Sequence, residues 1–185
     1  MTAEITFRKH PRAKWHEYNH GIYFVTFCTE HKRHCFGKVI DCVMILNDKG
    51  RIVEECINSL PLHYPDVEVH NHIVMPNHIH LLLQIVPSGV EGHSNYGAIH
   101  APQHDDDYYE IPFDLRCHFN SRLAMIVCGL KSAATKRIRS FDVSFGWQSR
   151  YHDHVVRDQH SYDNITTYIS ENPMRWDTDT FNRQG

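Results

Sequence analysis

The stretch from Val67 to Ile85 limits what this chain can fold into more than any other. Val67-Glu68-Val69-His70-Asn71-His72-Ile73-Val74 and His78-Ile79-His80-Leu81-Leu82-Leu83-Gln84-Ile85 are two runs rich in branched and aliphatic residues, parted by Met75-Pro76-Asn77. That pattern predicts two strands joined by a tight turn. Successive side chains on a strand point to opposite faces, so His78 and His80 share one face while Ile79 and Leu81 share the other. Two imidazoles are thereby aimed at one point from a stiff backbone, and neutral imidazole is the commonest protein ligand for metal ions. The plainer alternative is a half-buried strand with polar residues on its wet side. In a chain with 17 His among 185 residues, a His-x-His pair is no rarity.

The remaining pattern supplies partners for that hairpin. Gly21-Ile22-Tyr23-Phe24-Val25-Thr26-Phe27-Cys28 is aromatic and β-branched, suited to the centre of a sheet, and Glu30 to His34 reads as a polar loop whose cations could equally meet phosphates or solvent. Cys42 to Leu46 reads as a short strand, followed by an amphipathic helix from about Gly50 to Leu60, with Pro61 as its stop. From Pro87 to His118 the periodicity dissolves, and Asp105-Asp106-Asp107 repels phosphate, so 87–118 reads as an inserted loop or lid. Leu123 to Ile138 carries a helical apolar stripe, with Lys131, Lys136, Arg137 and Arg139 over its last turns. Those cations suit a helix C-terminus and a phosphate track about equally. Trp147 to Arg157 reads as extended; Asp153 between His152 and His154 favours a polar edge there over a second metal pair. A last helix is expected from about Ser161 to Glu171, closed by Asn172-Pro173.

Bulk properties narrow the classes. A length of 185 residues with 41% hydrophobic content suits one domain, 1–185, that includes a basic N-terminal arm over 1–19 with Arg8, Lys9 and Arg12. No apolar run approaches the roughly 20 residues that span a bilayer, and no secretion signal opens the chain, so a cytoplasmic protein is expected. The six cysteines, at 28, 35, 42, 56, 117 and 128, include no Cys-x-x-Cys pair and are expected as free thiols. Net charge is −3, so any nucleic-acid contact must use a local basic face.

Tyr168 and Asn172 lie one helical turn apart, so a phenol and a carboxamide oxygen can approach one point. Spacing alone leaves Tyr168 as an ordinary packed tyrosine. Two histidines are too few to hold an ion, and an oxygen donor from Asn172 would suit a hard cation, Mg2+ or Mn2+.

Taken together, Met75-Pro76-Asn77-His78-Ile79-His80, Leu130-Lys131-Ser132, Trp147-Gln148, Tyr151 to Arg157 and Tyr168-Ile169-Ser170-Glu171-Asn172-Pro173 stand in one order from about Gly21 to Trp176. This series resembles the HUH (His-hydrophobic-His) single-strand endonucleases, and within them the REP-associated tyrosine transposases. The resemblance implies an α+β, ferredoxin-like or RRM-like antiparallel sheet with helices packed on one face. It implies His78, His80 and Asn172 as metal ligands and Tyr168 as nucleophile. It also implies cleavage and rejoining of single-stranded DNA through a 5′-phosphotyrosine intermediate, beside a hairpin or repeat end, in a monomer or homodimer. Arg8, Lys9, Arg12, Lys131, Lys136, Arg137 and Arg139 are the expected DNA contacts. Two rival readings are a nucleic-acid-binding protein that keeps the fold without cleavage, and a metal-dependent hydrolase using activated water.

Overall fold

A computed structural model describes residues 19–87 and 121–182. The arm bearing Arg8, Lys9 and Arg12, and nearly all of the expected 87–118 insertion, lie outside the described residues.

The elements run β1 (Gly21–Cys28), β2 (Gly37–Ile40), β3 (Val43–Leu46), α1 (Asp48–Asn58), α2 (Leu60–His63), β4 (Val67–Val74), β5 (His78–Ile85), α3 (Arg122–Arg139), β6 (His152–Val156) and α4 (Gln159–Glu171). A short 3₁₀ segment, Asn172–Thr178, continues from α4. Four strands form one sheet in the order β4-β5-β1-β6, each pairing antiparallel with its neighbours. With β2 and β3 set aside as a separate ribbon, this is the βαββαβ order of a ferredoxin-like fold, as the sequence predicts.

The two central strands explain the rest. Tyr23, Val25 and Phe27 of β1 and Ile79, Leu81, Leu83 and Ile85 of β5 face one side, where they pack with Val53 and Ile57 of α1 and Leu123, Ile126, Val127, Leu130, Ala134 and Ile138 of α3. Burying a residue of this size contributes about 1.5–3 kcal/mol, so this layer supplies most of the stability. The α1–α3 side depends on one close approach: a Cβ at Gly129 would sit 2.1 Å from the Tyr64 hydroxyl. Side chains accept a hydrogen bond from the first turn of each long helix: Asn47 for α1, Ser121 for α3 and Asp158 for α4.

The crossover helices α1 and α3 pack on one face, as expected, and the last helix, α4, lies over the other. Ile165 and Ile169 of α4 pack with Phe24, Leu82 and Val156 on the other face, the side of His78 and His80. Pro61 departs from expectation. It occupies the first turn of α2, where its missing N–H costs nothing, and the chain turns into a second short helix instead of stopping. β2, absent from the sequence reading, pairs with β3 through a turn in which Asp41 and Cys42 adopt φ of 50° and 62°. Hairpin turns of that kind usually announce themselves by Asn-Gly or Asp-Gly. Among the described residues, no helix is long and apolar enough to cross a membrane.

Candidate active site

β5 delivers His78 and His80 to the α4 side of the sheet, and both are fully buried. Their Nε2 atoms face each other at 3.1 Å. Each ring is held from behind by a different kind of partner. His78 Nδ1 lies 2.9 Å from Asn77 Oδ1, while Asn77 Nδ2 donates to the carbonyls of Lys32 (3.0 Å) and Phe181 (2.8 Å). Carbonyl oxygens only accept, so the amide end of Asn77 is fixed by them, and its Oδ1 must then accept from His78 Nδ1–H. The lone pair of neutral His78 is therefore on Nε2.

His80 Nδ1 lies 2.8 Å from Thr26 Oγ1, a hydroxyl that can donate or accept. His80 can accordingly present either Nε2–H or an Nε2 lone pair to its neighbour. Burial lowers both imidazoles, His80 to about 3 and His78 well below its ordinary value, so the pair is neutral near pH 7.

The last helix closes over them. Tyr168 Oη is 3.3 Å from His80 Nε2, and its ring meets Phe24 edge-on while Phe24 stacks on His80. Burial raises the Tyr168 phenol to about 12, so it is protonated near neutral pH. Asn172, also fully buried, adjoins both His78 and Tyr168, yet neither atom of its carboxamide has a hydrogen-bond partner of good geometry among the described residues. An unsatisfied buried amide costs about 1–3 kcal/mol, which marks the position as built for something else. Phe181 stacks on His78 at 4.4 Å between ring centroids, and Trp176 flanks it at 6.0 Å.

Imidazole nitrogens and carboxamide oxygens are donors of the kind that bind divalent cations. Two imidazole nitrogens bound side by side to one ion at about 2.1 Å stand about 3.0 Å apart, close to the separation seen. With His80 as the Nε2–H tautomer the two nitrogens share an N–H···N hydrogen bond, and in the other tautomer two lone pairs face each other, an arrangement that a cation between them would stabilise. Among the described residues no three His, Cys, Asp or Glu side chains come together, and the side-chain oxygens beside the imidazole pair include those of Asn172, Tyr168 and Thr26.

Other expected residues fall elsewhere. Two other tyrosines that could replace Tyr168 as nucleophile sit elsewhere: Tyr151 packs against the core on the far side of the sheet, and Tyr162 stands against His70. His152 and His154 are exposed on edge strand β6. Lys131 donates to the Gln148 carbonyl (2.8 Å), Arg139 Nε to the Phe145 carbonyl (2.9 Å), and Arg137 pairs with Glu55. All three, with Lys136, belong to α3, across the sheet from the imidazoles. The sequence reading gave no site role to Thr26, Asn77 or Phe181, and took Lys32 only as one of several loop cations that could meet phosphates or solvent. Asn77 adjoins the motif, but the other three come from distant parts of the chain.

No protein-family model matches the chain. Among solved structures, a REP-associated tyrosine transposase bound to a REP hairpin superposes with TM-score 0.54 at 16% identity, over 90% of this chain and 74% of that one. A transposase-like protein of Deinococcus radiodurans gives TM-score 0.43 at 17% identity, over 87% of this chain and 96% of that one. The fold is thus the one seen in a REP-associated tyrosine transposase. By sequence, the chain belongs to one family with an uncharacterized protein of Haemophilus influenzae, 33% identical over 188 residues that span 96% of this chain and 94% of the relative.

Proposed function

We propose that this protein is a metal-dependent DNA strand transferase of the transposase kind, which cleaves and rejoins single strands through Tyr168. The observation that carries the reading is the meeting, within one chain, of Tyr168 Oη and His80 Nε2 at 3.3 Å beside the buried Asn172 carboxamide, which adjoins both His78 and Tyr168. Fold similarity to a transposase solved with a DNA hairpin supports it.

His78, His80 and Asn172 would hold Mg2+ or Mn2+, which when bound polarises the scissile phosphate and stabilises charge on the leaving oxygen. Asn77 and Thr26 orient the two imidazoles with Nε2 forward. Tyr168 forms a P–O bond to the 5′ side of the break, its proton passes to solvent, and the P–O3′ bond breaks to leave a protonated 3′-hydroxyl. Because one phosphodiester is exchanged for another, the reverse attack by a 3′-hydroxyl reseals the strand without ATP. Since its own Tyr168 reaches the imidazoles, the geometry supports a site complete in one chain. Access to His78 requires the Phe181 ring to move. Arg8, Lys9 and Arg12 are candidate contacts to DNA flanking the site, and such chemistry belongs in the cytoplasm.

The test is incubation of the full chain with hairpin-bearing single strands and Mn2+, followed by denaturing electrophoresis and mass spectrometry. A covalent adduct located on Tyr168, absent without metal, is the expected result. Binding without any adduct leaves a nucleic-acid-binding protein, and cleavage without adduct leaves a water-using hydrolase.

A further inference from the structure

The loop after β1 brings one cation to the imidazole pair. Lys32 Nζ sits 5.1 Å from the centroid of the Phe181 ring, which itself lies 4.4 Å from His78 and 6.1 Å from His80. The ammonium is close enough to hold His78 further toward its neutral form, behind burial and the His80 ring as causes.

The backbone that places Lys32 is strained and pinned. His31 and Lys32 adopt φ of 54° and 52°, left-handed conformations that are unfavourable for non-glycine residues. Such strain persists where surrounding contacts over-determine it. Here those contacts run to the turn that carries the histidines. Thr29 N–H donates to the Asn77 carbonyl (2.9 Å), Cys35 N–H to the Pro76 carbonyl (2.8 Å), and Asn77 Nδ2 to the Lys32 carbonyl (3.0 Å). One residue, Asn77, thus fixes both the His78 ring and the Lys32 backbone.

The described residues supply no anion for this ammonium. Among the described residues no carboxylate lies within ion-pair distance of Lys32 Nζ; Asp179 feels its charge only from further away, and burial keeps that carboxyl above its ordinary value. A half-buried lysine resting on the ring that stacks on neutral His78, with no carboxylate partner among the described residues, is a cation in want of an anion.

We infer that Lys32 is a further catalytic residue, whose ammonium contacts a non-bridging oxygen of the scissile phosphate opposite the attacking Tyr168. The assignment rests on the strand-transfer reading above. Lys32 gains and loses no proton in the step; it offsets the negative charge that gathers on the phosphoryl oxygens as the Tyr168 O–P bond forms and P–O3′ breaks.

The test pairs Lys32→Met, which keeps the apolar stem over Phe181, with Lys32→Arg, which keeps the charge. On a hairpin-bearing strand that the parent chain traps, Lys32→Met should slow adduct formation by about 100-fold, as loss of one preorganised donor does, and Lys32→Arg by no more than about tenfold. On a Tyr168→Phe background, an uncharged methylphosphonate at the scissile position should weaken binding to the Lys32 protein and cost the Lys32→Met protein nothing further. Parental trapping by Lys32→Met, or an equal methylphosphonate penalty in both, overturns the assignment. Should the parent chain trap no strand at all, the strand-transfer reading fails separately. A thymidine octamer then still decides Lys32: the slope of log affinity against log salt should fall by about 0.7 in Lys32→Met if a phosphate contact is lost, and an unchanged slope refutes it.

Discussion

Asn77 joins three parts of the site through one carboxamide, and its replacement gives a prediction with two separable readouts. Asn77→Ala strands His78 Nδ1, the Lys32 carbonyl and the Phe181 carbonyl, all of which now end on it. Each buried polar group left unpaired costs about 1–3 kcal/mol. The two carbonyls belong to loop residues that water can reach, so the low end applies and the sum is about 3 kcal/mol. For a chain of this length, about 2–4 °C of melting temperature follows each kcal/mol, giving a fall of about 6–12 °C. Asn77→Asp should destabilise comparably, because a carboxylate oxygen then faces two carbonyls. The variants should part company on metal. Aspartate still accepts from His78 Nδ1–H and keeps the Nε2 lone pair forward, whereas alanine frees the tautomer and should weaken Mn2+ binding by about 10–100-fold. Thermal melting by circular dichroism and Mn2+ titration calorimetry at pH 7 read the two effects. Equal loss of Mn2+ affinity in both variants, or unchanged melting in both, would refute the hydrogen-bond assignment.

Four further outcomes are expected. Tyr168→Phe should abolish the covalent adduct and leave DNA affinity within about twofold, since it keeps the ring and removes only the hydroxyl, 3.3 Å from His80 Nε2; adducts that persist would have to be mapped to another tyrosine. His78→Ala and His80→Ala should each abolish Mn2+-dependent cleavage, and chelation should do the same to the parent; cleavage unaffected by all three would remove the metal from the reaction. Both imidazoles take up protons less readily folded than unfolded, His80 with its folded value near 3. Their share of stability is therefore complete above about pH 6.5 and is lost as pH falls toward 3, at up to about 1.4 kcal/mol per pH unit for each ring. Urea unfolding between pH 7 and pH 5 should show a shallower slope in His80→Gln than in the parent, and an identical slope would count against buried neutral rings. Lys131→Met should lower stability by about 1 kcal/mol through its lost bond to the Gln148 carbonyl while leaving the salt dependence of DNA binding unchanged; a shallower salt slope would restore α3 as a phosphate track.

The elements with strong periodicity were legible from residues alone. β1, β4 and β5 match their expected bounds because their composition admits no competing structure, and the α3 stripe matches its buried residues. Legibility ended where a residue's fate depends on a partner far along the chain. Lys32 and Phe181 lie 45 and 104 positions from Asn77, so nothing local reveals that its amide holds both. The cationic end of α3 suits a helix C-terminus, and only the structure shows Lys131 and Arg139 turned onto the 145–148 segment. The face chosen by α4 is likewise a tertiary matter. Its apolar residues Ile165 and Ile169 would pack equally well against either side of a sheet.

That choice of face makes chemistry and stability separable in this fold. Along β1 and β5 one set of alternate residues enters the large core beneath α1 and α3, while the other set, Phe24, Thr26, His78, His80 and Leu82, faces α4. A polar network on a face that supplied the main core would have to be fully satisfied to avoid a heavy cost. Here the aliphatic face supplies most of the folding energy, so the opposite face can tolerate two facing imidazoles and an unpartnered carboxamide. It follows that substitutions at Leu81 or Leu83 should unfold the protein before they alter its chemistry, and substitutions at Thr26 or Asn172 the reverse. The rigidity that the packed face lends to β5 is also what keeps His78 and His80 aimed at a single point.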